Sequence, residues 1–214
     1  MTIEIFDFNK VEGFNRHIAM SIPNYEQLFS IFLELVSVFS EPETCVIDYG
    51  CSAGRLLLEL PKKASCKYFG VDVAELLPTS NVDVQFNKAD AIAYGRSFNE
   101  PVSVVISMFF LQFLGNRKRK EMLKVLRDQV SSGATLLISE KTLIDDSIIN
   151  AIISRLHVQE KRKNFADDEI LNKDRQLLRS MFCRQESELL DELNNIGTVT
   201  KVWQSYNFCG YIVK

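Results

Sequence analysis

Short, uninterrupted apolar runs recur along the chain, separated by segments with helical spacing. Five runs rich in Val and Ile cover residues 45–49, 68–73, 82–86, 102–108 and 134–140. Runs of this length without alternation suit strands that are buried on both faces of a parallel sheet. Two further strand-like runs, at 199–205 and 208–213, flank a tight Tyr206-Asn207 turn and predict an antiparallel pair.

Helical patterns lie between most of these runs. Asn24, followed three residues later by Gln27, has the spacing of a capping box at the start of the first long helix. Alternating strands and helices predict a doubly wound α/β fold with a mostly parallel sheet. We expect a single domain over residues 1–214, with a helical lead-in at 1–40 and a late helical segment at 141–197. The other predicted helices cover residues 54–60, 116–130, 145–157, 167–182 and 185–196.

The composition narrows the class of protein without naming it. The chain has 214 residues, of which 46% are hydrophobic, and a net charge of −3, so direct nucleic-acid binding is not expected. Its five cysteines form no C-x-x-C pair, which speaks against a disulfide framework or a zinc site. No signal peptide and no membrane-spanning run is visible. We therefore expect a soluble, cytoplasmic protein with free thiols, no metal and no membrane partner.

The strongest local signal is the loop Asp48-Tyr49-Gly50-Cys51-Ser52-Ala53-Gly54, which follows the first predicted strand. Gly50 can adopt a backbone shape closed to other residues and lets a ligand approach the main chain. The loop lacks the full G-x-G-x-x-G spacing of a dinucleotide site and the Gly-Lys-Ser/Thr of a phosphate loop. Because Asp48 precedes the glycines, the loop favours a cationic sulfonium nucleoside such as S-adenosylmethionine. The alternative is an ordinary strand-to-helix turn.

Two further acidic residues follow predicted strands. Asp72 ends the second strand, where a carboxylate can accept hydrogen bonds from both ribose hydroxyls, although a helix N-cap would look the same. Asp90 follows the third strand and suits a contact to the adenine amine. A solvated turn residue is an equal alternative at that position.

The predicted architecture is typical of class I methyltransferases, and the chain resembles the carboxy-S-adenosylmethionine synthases over nearly its whole length. The combination of Gly-Cys-Ser with Leu-Gln-Phe-Leu, in this order, is much more specific than a generic methyltransferase loop. The segments that carry the resemblance are Ser21-Ile22-Pro23-Asn24-Tyr25, Asp48-Tyr49-Gly50-Cys51-Ser52, Phe110-Leu111-Gln112-Phe113-Leu114, Ser139-Glu140-Lys141 and Tyr206-Asn207-Phe208.

The resemblance implies an activity and partners. Members of this family convert S-adenosylmethionine and prephenate into carboxy-S-adenosylmethionine, with release of phenylpyruvate. They act as homodimers, and their product is the carboxymethyl donor used in wobble-uridine modification of tRNA. A transferase that binds S-adenosylmethionine or its carboxy form, with prephenate as its small-molecule substrate, is therefore expected.

The resemblance also implies roles for individual residues. Tyr25 matches the tyrosine that covers the bound donor, and an arginine from a late helix pairs with the new carboxylate in the family. We therefore expect Tyr25 and Arg175 to act in catalysis. The residues expected to bind the cofactor are Tyr25, Asp48, Gly50, Cys51, Ser52, Asp72, Val73, Asp90, Ala91, Met108 and Arg175.

Three departures from the family pattern are visible. The segment at residues 73–89 is shorter by about three helical turns, which predicts a crossover helix reduced to a single turn. Met108, or Ser107 if a gap is placed in the alignment, stands where the family has an asparagine, so one polar contact to the ligand is expected to be missing. The family's Lys-Arg pair falls on Lys173-Asp174-Arg175, so that Asp174 occupies the arginine column and Arg175 or Arg179 becomes the candidate carboxylate partner.

Other charged segments allow two interpretations each. The run Arg117-Lys118-Arg119-Lys120 is expected to be a solvated helix face rather than an RNA contact. Glu140 and Lys141 either border the pocket or form a buried ion pair. For function, the alternatives to a carboxy-S-adenosylmethionine synthase are an ordinary methyltransferase acting on a small molecule or RNA, and a non-catalytic relative that binds the nucleoside weakly or not at all.

Overall fold

A computed structural model describes residues 13–214. In these residues eight strands form one mixed sheet, whose main path runs β3-β2-β1-β4-β5-β8-β7. The first five strands of the path are parallel, β8 is antiparallel to both of its neighbours, and β6 adds two residues beside β5. The strands are β1 Cys45–Tyr49, β2 Lys67–Asp72, β3 Val84–Lys88, β4 Val102–Met108, β5 Thr135–Leu143, β6 Arg184–Gln185, β7 Val199–Ser205 and β8 Phe208–Val213.

Helices cover both faces of the sheet. Apolar side chains of α4, α5 and α8 pack on one face, and those of α2 and α3 pack on the other. This arrangement buries β1 completely, as its uninterrupted apolar run predicts. The helices are α1 Phe14–Ser21, α2 Tyr25–Phe39, α3 Arg55–Glu59, α4 Ala91–Ser97, α5 Asn116–Ser131, α6 Ser147–Lys161, α7 Asp167–Leu177 and α8 Glu186–Asn194.

The sheet and the C-terminal antiparallel strand confirm the predicted fold class, but several local features differ. The capping box at Asn24 is wrong. Asn24 adopts a left-handed conformation with φ of 60° and makes no capping hydrogen bond, and its amide donates to Ser205 Oγ instead. Helix α4 and the two-residue strand β6 were not predicted. The lead-in predicted at residues 1–40 begins outside the described residues, and its described part forms α1 and α2.

The connection from β2 to β3 is short. Within the part of the chain that the structure describes, residues 73–83 contain a turn at 75–76 and no helix. The crossover is shortened, as expected. The single helical turn that was predicted there is absent from these residues. The shortened connection leaves Val73 and Val82 exposed.

The sheet order reverses beside β1, because β2 lies on one side of it and β4 on the other. Crossover connections on the two sides of such a point run to opposite faces, which opens a crevice at the carboxyl ends of the strands. The loops after β1, β2 and β4 meet there. The fold therefore places the glycine-containing loop at the position where doubly wound proteins bind ligands.

Candidate functional site

The loop after β1 has an unusual backbone. Gly50, Ser52 and Gly54 all have positive φ values, of 75°, 48° and 65°. A Cβ built on Gly50 would lie 2.4 Å from the Phe110 ring, so this position combines a left-handed conformation with a close approach. Gly50 N donates to Val71 O at 2.8 Å, which ties the loop to β2.

Asp72, at the end of β2, supports this loop. Its Oδ2 accepts from Ser52 N at 2.8 Å, and its Oδ1 accepts from Ala74 N at 2.9 Å. Each carboxylate oxygen has a second lone pair, so Asp72 can accept further hydrogen bonds from a ligand. Asp72 and Val73 both line the cavity described below.

Asp48 is buried, with 4% of its surface exposed, and it also lines the cavity. Its Oδ1 and the Ser52 hydroxyl have no hydrogen-bond partner among residues 13–214. Burial, together with the negative charge of Asp72, raises the pKa of Asp48 well above its ordinary value. A cationic group of a ligand placed beside Asp48 would stabilise its ionised form. The site is thus prepared for a positively charged ligand.

The crevice forms a cavity of about 440 Å³. This volume lies within the range of small-molecule sites, and most of the lining is apolar, as such sites usually are. Tyr25 contributes to the lining from the first turn of α2, with its ring stacked near Phe29 and Phe109 at centroid distances of 6.1 and 6.4 Å. Met108 lines the cavity from the end of β4, where the sequence predicted a ligand contact.

Cys51 lines the cavity as well, and its chemistry is that of a buried thiol. Burial, followed by the charges of Asp48 and Asp72, raises the pKa of Cys51 far above that of a free cysteine. The thiol therefore stays protonated at neutral pH, and a nucleophilic role is excluded by the same argument. A Cβ built on Gly70 would lie 2.9 Å from Cys51 Sγ, so the thiol packs closely against the backbone of β2.

The same cavity also carries three lysines and two histidines, which come from the late helices, β5 and α1. Sequence reasoning had named Lys141 as a residue that could border the pocket, and had given Lys173 only as part of a family pair. It did not identify Lys161 as a site residue. The side chains concerned are Lys141, Lys161, Lys173, His17 and His157.

Asp90 and Ala91 do not line this cavity. Asp90 caps α4 by accepting from Ile92 N and Ala93 N, and its other oxygen pairs with Lys118 Nζ at 3.0 Å. Ala91 is buried in the core on the α4 side of the sheet. The adenine contact predicted at these two residues stays a prediction.

Arg175 and Arg179 lie on the exposed side of α7 and the turn that follows it. Neither of them lines the cavity of its own chain. The contact predicted between a late-helix arginine and the carboxylate stays a prediction.

Arg119 corrects the interpretation of the basic run in α5. Arg119 is fully buried, and its guanidinium pairs with Glu140 Oε2 at 2.9 Å and Glu192 Oε2 at 2.7 Å. The other three cations of the run are solvent-exposed, so only they fit the predicted solvated face. Burial raises the pKa of Glu140 to about 7, although Arg119 opposes this shift. Glu140 therefore belongs to a buried ion pair, and its neighbour Lys141 borders the cavity.

Gln112 connects the cavity to the late helical segment, and sequence reasoning had used it only as part of a motif. Its Oε1 accepts from Lys141 N at 2.7 Å, and its carbonyl accepts from Phe182 N at 2.6 Å. The Nε2 group contacts Met181 Sδ at 3.5 Å. Gln112 is therefore positioned to hold β5 and the chain after α7 against the loop that follows β4.

Comparison with known proteins identifies the class. The fold resembles the crystal structure of magnesium protoporphyrin IX methyltransferase from Synechocystis PCC 6803 with bound SAH, with a TM-score of 0.58 and 13% identity. The match covers 97% of this chain and 96% of that one. Together with the strand order and the loop after β1, it defines a class I S-adenosylmethionine-dependent methyltransferase fold.

The sequence comparison goes further. Carboxy-S-adenosyl-L-methionine synthase of Aliivibrio salmonicida is 30% identical over 173 residues, which cover 74% of this chain and 70% of the relative. The synthase of Colwellia psychrerythraea is 28% identical over 97% of this chain and 90% of its own length. The chain belongs to the carboxy-S-adenosyl-L-methionine synthase family, and it is a transferase-type enzyme that uses S-adenosylmethionine. No family model matches the chain.

Two features are absent from residues 13–214. No helix there is long and apolar enough to cross a bilayer. No group of three or more His, Cys, Asp and Glu side chains in the same residues is arranged to hold a metal ion.

Proposed function

We propose that this protein makes carboxy-S-adenosylmethionine from S-adenosylmethionine and prephenate. The methyl carbon loses a proton and gains the carbon dioxide that prephenate releases. Prephenate also loses hydroxide, so the products are the carboxymethyl nucleoside, phenylpyruvate and water. The observation that carries the proposal is a single cavity lined both by Asp48 and Asp72, which suit a sulfonium nucleoside, and by three lysines, which suit a carboxylate substrate.

The nucleoside would supply a methyl carbon that is acidified by the adjacent sulfonium. The residues of the chain bind and shield this group. Asp48 Oδ1 and the Ser52 hydroxyl, which have no hydrogen-bond partner among residues 13–214, can accept from its ammonium end. Asp72 and Val73 line the cavity where the ribose is expected. Tyr25 closes the cavity from α2, and an aromatic face favours a nearby cation. Exclusion of water by this apolar lining protects the deprotonated carbon from reprotonation.

We also propose that the enzyme acts as a homodimer in the cytoplasm and that its product serves tRNA wobble-uridine modification. Support for the dimer comes from large apolar side chains that α6 exposes to solvent, since such patches mark interaction surfaces. The five free cysteines agree with a reducing compartment. Sedimentation at micromolar concentration should give twice the monomer mass, and a monomer would overturn this part. The exposed residues of α6 are Ile148, Ile149, Ile152 and Leu156.

A direct assay tests the activity. Purified protein is incubated with S-adenosylmethionine, with or without prephenate, and the nucleosides are analysed by mass spectrometry. We expect carboxy-S-adenosylmethionine and phenylpyruvate in equal amounts, only when prephenate is present. The carboxy form should also be the nucleoside that co-purifies with the protein. Absence of both, with bound S-adenosylmethionine, would indicate an ordinary methyltransferase, and absence of any nucleoside would indicate a non-catalytic relative.

A further inference from the structure

Three lysines that are distant in sequence converge on the cavity. Lys141 belongs to β5, Lys161 is the last residue of α6, and Lys173 lies in the middle of α7. All three line the cavity, and their charges influence one another, because Lys161 and Lys141 both depress the pKa of Lys173. They therefore form one cationic group, which we call the lysine cluster.

Asp174 neutralises one charge of the cluster, because Lys161 Nζ pairs with Asp174 Oδ1 at 3.0 Å. Lys173 Nζ donates to Ser21 Oγ at 2.9 Å and contacts His17 Nε2. Lys141 Nζ lies 5.7 Å from the centroid of the Phe208 ring.

No carboxylate within residues 13–214 forms an ion pair with Lys141. Lys141 therefore enters the cavity with no carboxylate of these residues to neutralise it. It shares the cavity with the two other cations of the cluster.

The two histidines of the cavity do not add to the charge. Burial, followed by the charges of the lysines, lowers the pKa of His17 to about 4. Burial also lowers the pKa of His157 to about 4, against the hydrogen bond that its ring makes with Ser21 O. Both rings are neutral at neutral pH. They can exchange hydrogen bonds with a ligand without repelling the lysines.

An excess of positive charge in a half-buried cavity is unfavourable unless an anion compensates it. The penalty is visible in the cluster, because burial and the neighbouring lysines lower the pKa of Lys173 to about 8 and also depress the pKa of Lys141. A bound carboxylate would reverse these shifts. Lysine side chains with a purely structural role would extend into water. The three lysines of the cluster are instead held inside a cavity, beside the loop that is expected to bind the nucleoside.

We propose that Lys141, Lys161 and Lys173 form the carboxylate subsite of this cavity, supplied by the same chain that holds the nucleoside. The subsite would receive a carboxylate of the co-substrate and the new carboxylate of the product. The identity of these carboxylates rests on the proposed function. This assignment differs from a late-helix arginine acting across a dimer. Asp174 stands at the arginine position and is used here to hold Lys161.

Binding of two nucleosides tests the assignment. Affinities for carboxy-S-adenosylmethionine and S-adenosylmethionine are measured by calorimetry for wild type, Lys141→Met and Lys173→Met. We expect each substitution to weaken the carboxy form about ten- to a hundredfold, which is the usual worth of a charge-assisted pair, and the plain form less than about threefold. Lys141→Arg keeps the charge and should restore the preference. Lys163→Met, beside the end of α6 but exposed, is the matched control.

Two arginine variants test the alternative assignment, in which a late-helix arginine binds the carboxylate. Arg175→Ala and Arg179→Ala should leave the preference for the carboxy form within about threefold of wild type, because neither side chain lines the cavity of its own chain. If an arginine variant removes the preference and the lysine variants do not, the subsite is supplied in trans and the proposal is overturned. Lysine variants that weaken both nucleosides equally would also overturn it.

A second probe separates this inference from the proposed function. Phenylpyruvate is titrated into protein that is saturated with S-adenosylhomocysteine, which has no carboxymethyl group. Weaker phenylpyruvate binding in Lys141→Met, in a protein that produces no carboxy-S-adenosylmethionine, would keep the subsite and reject the proposed reaction. Active wild-type protein together with unchanged phenylpyruvate binding in the variant would keep the reaction and reject the subsite.

Discussion

Glu140 and Lys141 are neighbours on β5, yet they belong to two different electrostatic environments. Because successive side chains of a strand point to opposite faces, Glu140 reaches the α5 and α8 side and Lys141 reaches the cavity. On the first side the chain supplies Arg119, Glu140 and Glu192 as one hydrogen-bonded ion network. On the second side Lys141, Lys161 and Lys173 line the cavity, and Lys141 forms no ion pair with a carboxylate of residues 13–214.

The difference shows how a buried charge can be assigned a role. A charge that the chain itself neutralises is part of the architecture, and removal of one member leaves its partners uncompensated. A cation that lines a cavity without an ion-pair partner among the described residues, as Lys141 does, indicates a ligand of opposite sign. The two regions therefore predict different phenotypes: loss of stability on one side of β5, and loss of ligand discrimination on the other.

The largest expected effect is a loss of stability when the ion network of Arg119, Glu140 and Glu192 is broken. Arg119→Met should lower the free energy of unfolding by about 3–5 kcal/mol, because it leaves the buried carboxylate of Glu140 without its ion-pair partner. Urea denaturation monitored by circular dichroism measures this change. Arg117→Met on the same helix, where the side chain is exposed, should change stability by less than about 0.5 kcal/mol. Similar values for the two variants would remove the distinction between the two regions.

A smaller effect is expected for the acidic residues of the cavity. Asp72→Ala should weaken S-adenosylmethionine binding by about 1–3 kcal/mol, the usual range for lost hydrogen bonds to a charged group. Part of this effect will come from the loop, because Asp72 holds Ser52 N and Ala74 N. Asp83→Ala, in an exposed part of the short connection, serves as the control. Unchanged affinity in folded Asp72→Ala protein would remove this residue from the binding site.

The dependence on pH should have opposite signs in the two regions. The pKa of Glu140 rises from 4.5 to about 7, so the folded state holds an extra proton and stability falls as pH rises through this window. The pKa of Lys173 falls from 10.5 to about 8, so stability rises with pH between these values. Denaturation curves for wild type and Glu140→Gln should differ in slope only between pH 4.5 and 7. Equal slopes would contradict the burial of an ionisable Glu140.

The smallest effect concerns protons taken up on binding. A carboxylate beside Lys173 raises its pKa again, so binding of carboxy-S-adenosylmethionine at about pH 9 should take up protons. Calorimetry in two buffers of different ionisation enthalpy detects the uptake. Binding of plain S-adenosylmethionine should show less uptake, and equal values for the two ligands would argue against a carboxylate at the lysine cluster.

Continuous apolar runs made much of the sheet predictable from the sequence. The bounds of β1, β4, β7 and β8 agree with the predicted runs, because burial of a strand leaves a local signal in consecutive residues. Helix α4 has no comparable signal, since it is short and Gly95 interrupts it. Strand β6 depends on a pairing with the end of β5, which two residues cannot encode on their own.

The site was predictable only where its residues share a loop or end a strand. Asp48, Gly50, Ser52 and Asp72 form such a set, and the structure brings them to one cavity. Convergence of Lys141, Lys161 and Lys173 depends on the packing of β5, α6 and α7, and each lysine alone looks like an ordinary surface charge. Arg119 shows the converse, because within a run of four cations nothing local marks the one that is buried.

The position of β8 has a consequence for the order in which the protein folds. Helices α6, α7 and α8 lie in the chain between β5 and β8, which pair directly, so that Leu136 meets Val213. Pairing two strands that are so distant in sequence costs loop-closure entropy before their contacts form. Such contacts therefore form slowly during folding. The pairing of β1 with β2, the strands that carry Asp48 and Asp72, closes a much shorter segment. A refolding chain should therefore recover nucleoside binding first, and the ability to tell a carboxymethyl from a methyl group last.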